Sequence, residues 1–282
     1  MIKFDKAAEL TAHIAALRNN GKTVGFTPTM GALHNGHLSL IKASKAENDI
    51  TICSVFVNPT QFDKATDLDK YPRTLEADAK LLESVGCDIL FFPSVEEVYP
   101  NGTEVKDPPA VGKIVSVMEG EHRIGHFEGM MQVVERLLRI TTPHRIYMGL
   151  KDYQQFAIVS LMVKVQEIEV EVKGMPIVRE DDGLAMSSRN VRLTPKGRKE
   201  DALILSKTLL EIKAQKENYS IPELEGIGRY LINQNEKVRL EYFEIVDTKT
   251  LFPVEDIHRK ENIIALTSVW VDGIKLLDNM IL

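Results

Sequence analysis

From about residue 23 to residue 175 the chain alternates strand-like apolar runs with stretches of helical period. That alternation restricts the fold more than any other feature. Residues 50–57 are almost continuously apolar and rich in β-branched side chains, as in a strand covered on both faces. Further strands are expected at 23–27, 88–92, 145–148 and 170–172. Helices are expected at 36–47, 74–85, 129–140 and 153–166, with Gly86 placed to end the second. Strand alternating with helix implies parallel βαβ units, and so a doubly wound sheet whose ligands lie beyond the carboxyl ends of its strands.

The pattern changes after Pro176. Helical periods at 196–214 and 222–233 precede strand-like runs at 239–246 and 263–271. Asp272-Gly273 then offers a hairpin turn before 274–277. The fold class is therefore α/β: a Rossmann-like doubly wound parallel sheet over residues 1–175, with a smaller C-terminal α+β domain over 176–282. A chain of 282 residues suits one large and one small core.

Composition excludes several classes. A net charge of −6 argues against a broad nucleic-acid surface, which needs a basic footprint. No run is long and apolar enough to span a bilayer. The N-terminus lacks the apolar centre of a signal peptide, so a cytoplasmic protein is expected. Cys53 and Cys87, the only cysteines, read as two buried free thiols.

Chemistry concentrates at strand-to-helix turns. His34 and His37, with Gly36 between them, follow the first strand and open a helix. Side chains three residues apart share a helical face, and a helix start presents free N–H groups and a positive dipole end to an anion. This points to a nucleotide, with chemistry at its phosphates. A metal pair is the weaker reading, because no Cys or Asp of suitable spacing accompanies the histidines. Gly21-Lys22-Thr23 imitates the tail of a phosphate loop, but it precedes the strand instead of following it. Glu119, Glu121, His122 and His126 resemble metal ligands but read as a solvated loop.

Two further segments complete the pattern. Gly149, Leu150, Lys151 and Asp152 end a strand; lysine suits phosphate oxygens and aspartate suits ribose hydroxyls. Gln154 and Gln155 follow and could equally be exposed helix residues. Met186, Ser187, Ser188, Arg189 and Asn190 place two hydroxyls and a guanidinium in a row, a donor cluster for polyphosphate. Asn58 and Gln61 close another strand with neutral amides.

Taken together, 28–37, Asn58 to Phe62, Tyr71 to Thr74, Lys151 to Gln155 and Met186 to Asn190 make the chain resemble the pantothenate synthetase (pantoate–β-alanine ligase) family along nearly its whole length. Beyond residue 195 the likeness rests on length and pattern alone. The resemblance implies a nucleotidyltransferase-like Rossmann domain, a mobile C-terminal lid, a homodimer, and an AMP-forming ligase that uses ATP and Mg2+. By matched position it assigns Met30, Gly31, Ala32, Leu33, His34, Asn35, Gly36 and His37 to the ATP site, with His37 as proton donor. It assigns Gly149, Leu150, Lys151 and Asp152 to the nucleoside, Val178 to adenine, and Met186, Ser187, Ser188 and Arg189 to the phosphates. Gln61 and Gln155 would orient pantoate, with Gln61 also near β-alanine, and Asp78 is an indirect candidate partner for magnesium. His34, His37, Lys151, Ser187, Ser188 and Arg189 form the implied catalytic set. The chain departs from the family pattern at Thr60, Ile124, Leu150 and Met130-Met131-Gln132, of which Thr60 and the last three bear on the pantoate pocket. Two other readings compete: a nucleotidyltransferase acting on another small metabolite, and a nucleotide sensor without turnover.

Overall fold

The structure, a computed structural model, describes residues 1–62, 68–69, 71–193 and 199–282. Its residues cluster into two compact units: Met1–Leu150 with Gln154–Pro176, and Lys151–Tyr153 with Ile177–Leu282.

Among the described residues the first unit holds six strands: β1 (Ile2–Phe4), β2 (Val24–Thr29), β3 (Ile50–Val55), β4 (Ile89–Phe91), β5 (Arg145–Gly149) and β6 (Glu171–Met175). Every pairing is parallel, in the order β1-β4-β3-β2-β5-β6. From β2 the chain builds outward through β3 to β4, then crosses back to place β5 on the other side of β2. The strand order thus reverses at β2 and β5, the topological switch point where sheets of this kind hold ligands.

Pro28 lies at that point. The strand was expected to end before it, yet β2 runs through it to Thr29. The carbonyls of Thr23 and Thr29 accept from the β3 side, at 3.0 Å each, while Val24 O accepts from His144 N on the β5 side. By this alternation the N–H that Pro28 lacks would face β5. The β2–β5 ladder has already stopped at Phe26, whereas the β2–β3 ladder continues to Thr29. Proline is tolerated because no ladder bond is lost there.

Helices of this unit include α1 (Ala7–Asn19), α2 (Asn35–Glu47), α3 (Leu75–Ser84), the short α4 (Val95–Val98) and α5 (Glu119–His122), α6 (His126–Thr141) and α7 (Tyr153–Val165). Expected elements recur with ends shifted by up to three residues. β1 and α1 were not read from the sequence: β1 is a three-residue strand, and α1 buries only Leu10 and Ile14. Gly86 does end α3, in a left-handed conformation at φ 75°. Cys53 and Cys87 are both buried and unbridged, and burial pushes the Cys87 thiol up to about 12.

In the second unit β7 (Val238–Asp247), β8 (Ile263–Val271) and β9 (Ile274–Ile281) form an antiparallel sheet in that order. Asp272 and Gly273, at φ 49° and 74°, make the β8–β9 turn. The sheet packs against α9 (Ile204–Gln215) and α10 (Ile221–Asn233), with Leu205, Leu209, Leu224, Phe243 and Val269 in its core. The helix expected over 196–214 divides into α8 (Lys199–Ala202) and α9, and residues 196–198 lie outside the described residues. Leu203, between them, keeps helical angles, but its N–H turns to Glu200 O at 3.2 Å, a tighter bond that interrupts the α-helical ladder.

Gly25 sets the distance from α2 to the sheet. A Cβ there would lie 2.2 Å from Ser44 Oγ and 2.5 Å from Asn48 Nδ2. Both groups are buried and bonded, Ser44 to Thr51 at 2.8 Å and Asn48 to Tyr147 at 2.8 Å. Gly25→Ala is expected to lower stability by about 1–3 kcal/mol through overpacking, read as a fall in the urea midpoint. Adding Ser44→Ala should recover part of the loss; no recovery would mean that the overlap is not the cause.

Candidate active site

The turn leaving β2 is shaped by one carboxylate. Gly31 and Ala32 both have positive φ, 83° and 51°, and a left-handed non-glycine residue costs on the order of 1–3 kcal/mol. Asp78, on α3 and 1% exposed, holds the turn in place. Its Oδ2 accepts from Ala32 N at 3.0 Å and its Oδ1 from Leu33 N at 2.8 Å. Thr74 Oγ1 donates to Oδ2 at 3.1 Å. Both oxygens of this magnesium candidate are therefore engaged in building the loop. A Cβ on Gly31 would sit 3.0 Å from the same carboxylate, so the tightness of the turn also requires glycine.

The loop delivers the two histidines to the start of α2. His34 is its N-cap, with Nδ1 accepting from Gly36 N at 3.1 Å, and His37 Nδ1 accepts from His34 N at 3.3 Å. The rings lie 4.1 Å apart between centroids, tilted by 41°. A nitrogen that accepts a backbone N–H carries no proton in the neutral ring, so these bonds assign the proton of each neutral imidazole to Nε2. Two Nε2–H donors beside a helix N-terminus at the switch point suit phosphate oxygens.

Gln61 is brought to the same loop. Its Nε2 lies 3.1 Å from Met30 Sδ, and its Oε1 accepts from Asn58 Nδ2 at 3.1 Å. Asn58 Nδ2 also donates to Gly129 O at 3.1 Å, and Asn58 Oδ1 accepts from Tyr99 Oη at 2.7 Å. A main-chain carbonyl can only accept, so Asn58 has one possible orientation, and that in turn sets the Gln61 amide. The Gln61 carbonyl is held from α6 by His126 Nδ1 at 2.8 Å and, from the residues just before that helix, by Arg123 Nη2 at 3.3 Å.

This corrects the reading of a solvated loop at two of its four residues, Glu119 and His126, while Glu121 and His122 are exposed as expected. Glu119 and His126 are buried, at 5% and 7% exposed, and His126 lies beneath Gln61. Among the described residues no group of three or more His, Cys, Asp or Glu is placed to hold a metal ion. Gln154, the other amide left open, is 4% exposed and structural: it donates to Ile114 O and Val117 O at 2.8 Å each. Gln155 is half-buried on α7. Gly21-Lys22-Thr23 stands before β2, with Lys22 paired to Asp49 at 3.2 Å.

In the second unit, Lys151, Ser187, Arg189, Asn190, Lys275 and Asp278 line one cleft. The segment that carries the serines folds back on itself, with Arg179 bridged to Ala185 and Met186 N donating to Val178 O at 3.0 Å. Asn190, 6% exposed, donates to Ala185 O at 3.1 Å and to Glu180 Oε1 at 2.7 Å. Met186 and Ser188 belong to the same turn, outside the cleft lining. Asp152 is exposed, and its Oδ1 lies 3.6 Å from Lys151 Nζ.

Comparison with known proteins places the chain in a family. The family model for pantoate-beta-alanine ligase matches residues 3–281. The chain belongs to the pantoate–β-alanine ligase family. It is 45% identical over 272 residues to the pantothenate synthetase of Bacteroides fragilis (strain YCH46), covering 96% of this chain and 95% of that protein. The crystal structure of pantothenate synthetase from Thermus thermophilus superposes with a TM-score of 0.92 at 39% identity, over 100% of this chain and 99% of that one. The ligase from Francisella tularensis, solved with beta-gamma ATP and beta-alanine, superposes at 0.81 with 34% identity, over 100% of this chain and 97% of that one.

Most positions read from the sequence as departures from the family pattern have places in the fold. Thr60 Oγ1 turns inward to Asn58 Oδ1 at 3.1 Å and Gly129 O at 3.2 Å. Met130 and Met131 are core residues, each 1% exposed, and Ile124 is 89% exposed. Gln132 Nε2 donates to Glu104 O at 2.9 Å.

Asp78→Asn would put an NH2 group against a backbone N–H while leaving one acceptor. The expected result is a loss of about 1.5–3 kcal/mol of stability, the scale of a hydrogen bond to a charged group, and a fall in ATP affinity. Unchanged ATP affinity in a folded Asp78→Asn protein would show that the turn does not depend on the carboxylate.

Proposed function

We propose that this chain condenses pantoate with β-alanine at the expense of ATP, giving pantothenate, AMP and pyrophosphate. The observation that carries the reading is the histidine pair at the start of α2, beside the sheet's switch point, in a chain of this ligase family. In the first step a pantoate carboxylate oxygen attacks the α-phosphorus, the bond to the β-phosphate bridge breaks, and pyrophosphate leaves. A carboxylate is already ionised at neutral pH, so this step needs alignment and charge neutralisation and no general base.

His34 and His37 donate from Nε2 to the phosphate oxygens, with His37 following the developing charge on the leaving group. Lys151, Ser187, Ser188 and Arg189 hold the leaving pyrophosphate. Residues 30–37, together with Gly149, Leu150, Asp152, Val178 and Met186, form the rest of the nucleotide site. Gln61 and Gln155 orient pantoate. Magnesium arrives with ATP as part of the substrate, held by phosphate oxygens.

In the second step the β-alanine amine attacks the acyl carbon of the pantoyl adenylate. The carbon–oxygen bond to AMP breaks and the nitrogen gives up a proton. Residues 176–282 act as a lid that keeps water from the mixed anhydride. The working protein is a cytoplasmic homodimer. Among the described residues no helix is long and apolar enough to cross a membrane.

Mass spectrometry of products with ATP, magnesium and pantoate, with and without β-alanine, tests the reading. AMP and pantothenate should accumulate together only when the amine is present. Pyrophosphate release without an amide product would point to another acceptor, and ATP binding without turnover to a sensor. His37→Ala should slow pantoate-dependent pyrophosphate release by about 100-fold or more, as removal of a transition-state donor does, while circular dichroism stays unchanged. Near-normal release from a folded His37→Ala protein would remove His37 from the chemistry.

A further inference from the structure

Lys151–Tyr153 clusters with the second unit, although the residues before and after it cluster with the first. Two side-chain bonds to residues far away in sequence tie it there. Asn279 Nδ2, on β9, donates to the Lys151 carbonyl at 2.8 Å across a separation of 128 residues. The Tyr153 hydroxyl donates to Thr248 O at 3.1 Å.

The residue beside Asn279 holds the other half of the cleft. Asp278 receives both Arg179 nitrogens, at 2.7 and 2.9 Å, and Arg179 Nη1 also donates to Gly183 O at 3.0 Å. Arg179 stands at the base of the folded segment that leads to Ser187 and Arg189. Asp278 Oδ1 also accepts from Asn279 N at 2.8 Å, which locks the two neighbours together. Asp278 is 2% and Asn279 4% exposed, so neither is a casual surface contact. Because Arg179 balances its charge, Asp278 can border a cationic cleft without opposing an anion there.

We infer that Asn279, supported by Asp278, is a positioning residue for phosphate binding: it fixes the backbone from which Lys151 reaches the cleft shared with Ser187 and Arg189. The inference rests on the reading that Lys151 meets the phosphates of ATP. A lysine is a point charge on a flexible stem, so where its main chain is held decides which oxygens it can reach. Small displacements of a positioning group are costly to rate and affinity.

The test compares wild type, Asn279→Ala and Tyr153→Phe in pantoate-dependent exchange of pyrophosphate into ATP, with ATP binding followed by calorimetry. Asn279→Ala should raise the KM and Kd for ATP by about tenfold while the KM for pantoate stays within about twofold. Tyr153→Phe, which removes one hydroxyl and leaves packing intact, should shift ATP in the same direction by less, and it carries the test if Asn279→Ala does not fold. In a Lys151→Met background the added Asn279→Ala change should vanish, because its effect passes through Lys151. ATP constants unchanged in a folded Asn279→Ala protein would overturn the inference. So would an equal loss with and without Lys151, the mark of a merely structural role. Absence of pantoate-dependent exchange in wild type would instead reject the ligase reading. The calorimetric comparison would still decide the role of Asn279.

Discussion

The Asp78 carboxylate is the constraint on which the first unit's site depends. It lies on α3, yet it accepts the N–H groups of Ala32 and Leu33 in the turn between β2 and α2. Without such a partner, the buried N–H of Leu33 and the half-buried N–H of Ala32 would lose their acceptors in a turn that already carries left-handed strain at Ala32. With it, the turn is narrow, α2 begins at once, and the capping bonds of His34 and His37 follow from where the helix starts. The orientation of both imidazoles is thus decided on another helix, more than forty residues along the chain.

The same arrangement recurs at Gln61 and in the second unit. The Gln61 amide is set by Asn58, which is itself set by the Gly129 carbonyl, and its main chain is held by Arg123 and His126. Lys151 is held by Asn279, and the serine–arginine segment by the Arg179–Asp278 pair. In each case the group suited to chemistry sits on a turn, while a regular element supplies a group that orients it. Turns can present backbone and side chains to a ligand, but they have few contacts of their own, so strands and helices must supply the stiffness.

How legible each part was follows from how local its cause is. Strand β3 was readable because a strand buried on both faces is apolar along most of its length, and α2 because its glycine, histidines and apolar period are contiguous. β1 was not, since a three-residue strand has too few positions to show a period. β2 was read as stopping short of Pro28, because the tolerance for proline comes from the end of the β5 ladder, a fact about a neighbouring strand. His126 and Glu119 were read as solvated because charged residues usually are. The burial of His126 is decided by the turn at 59–61, whose Gln61 carbonyl it holds and which packs so closely on α6 that a Cβ on Gly129 would lie 2.1 Å from Thr60 O.

The sequence by itself determined the class of fold and the family: alternating periods demand a parallel sheet, and the motifs are short, contiguous strings. Only the tertiary structure decided which nitrogen of each histidine donates, that Asp78 builds the loop, that Gln154 is structural, and that Asp278 and Asn279 organise the second unit's cleft. Periodicity and helix capping act between residues a few positions apart, so they leave a trace in the order of residues. A carboxylate or amide that bonds a backbone group across the fold leaves none until the chain has closed.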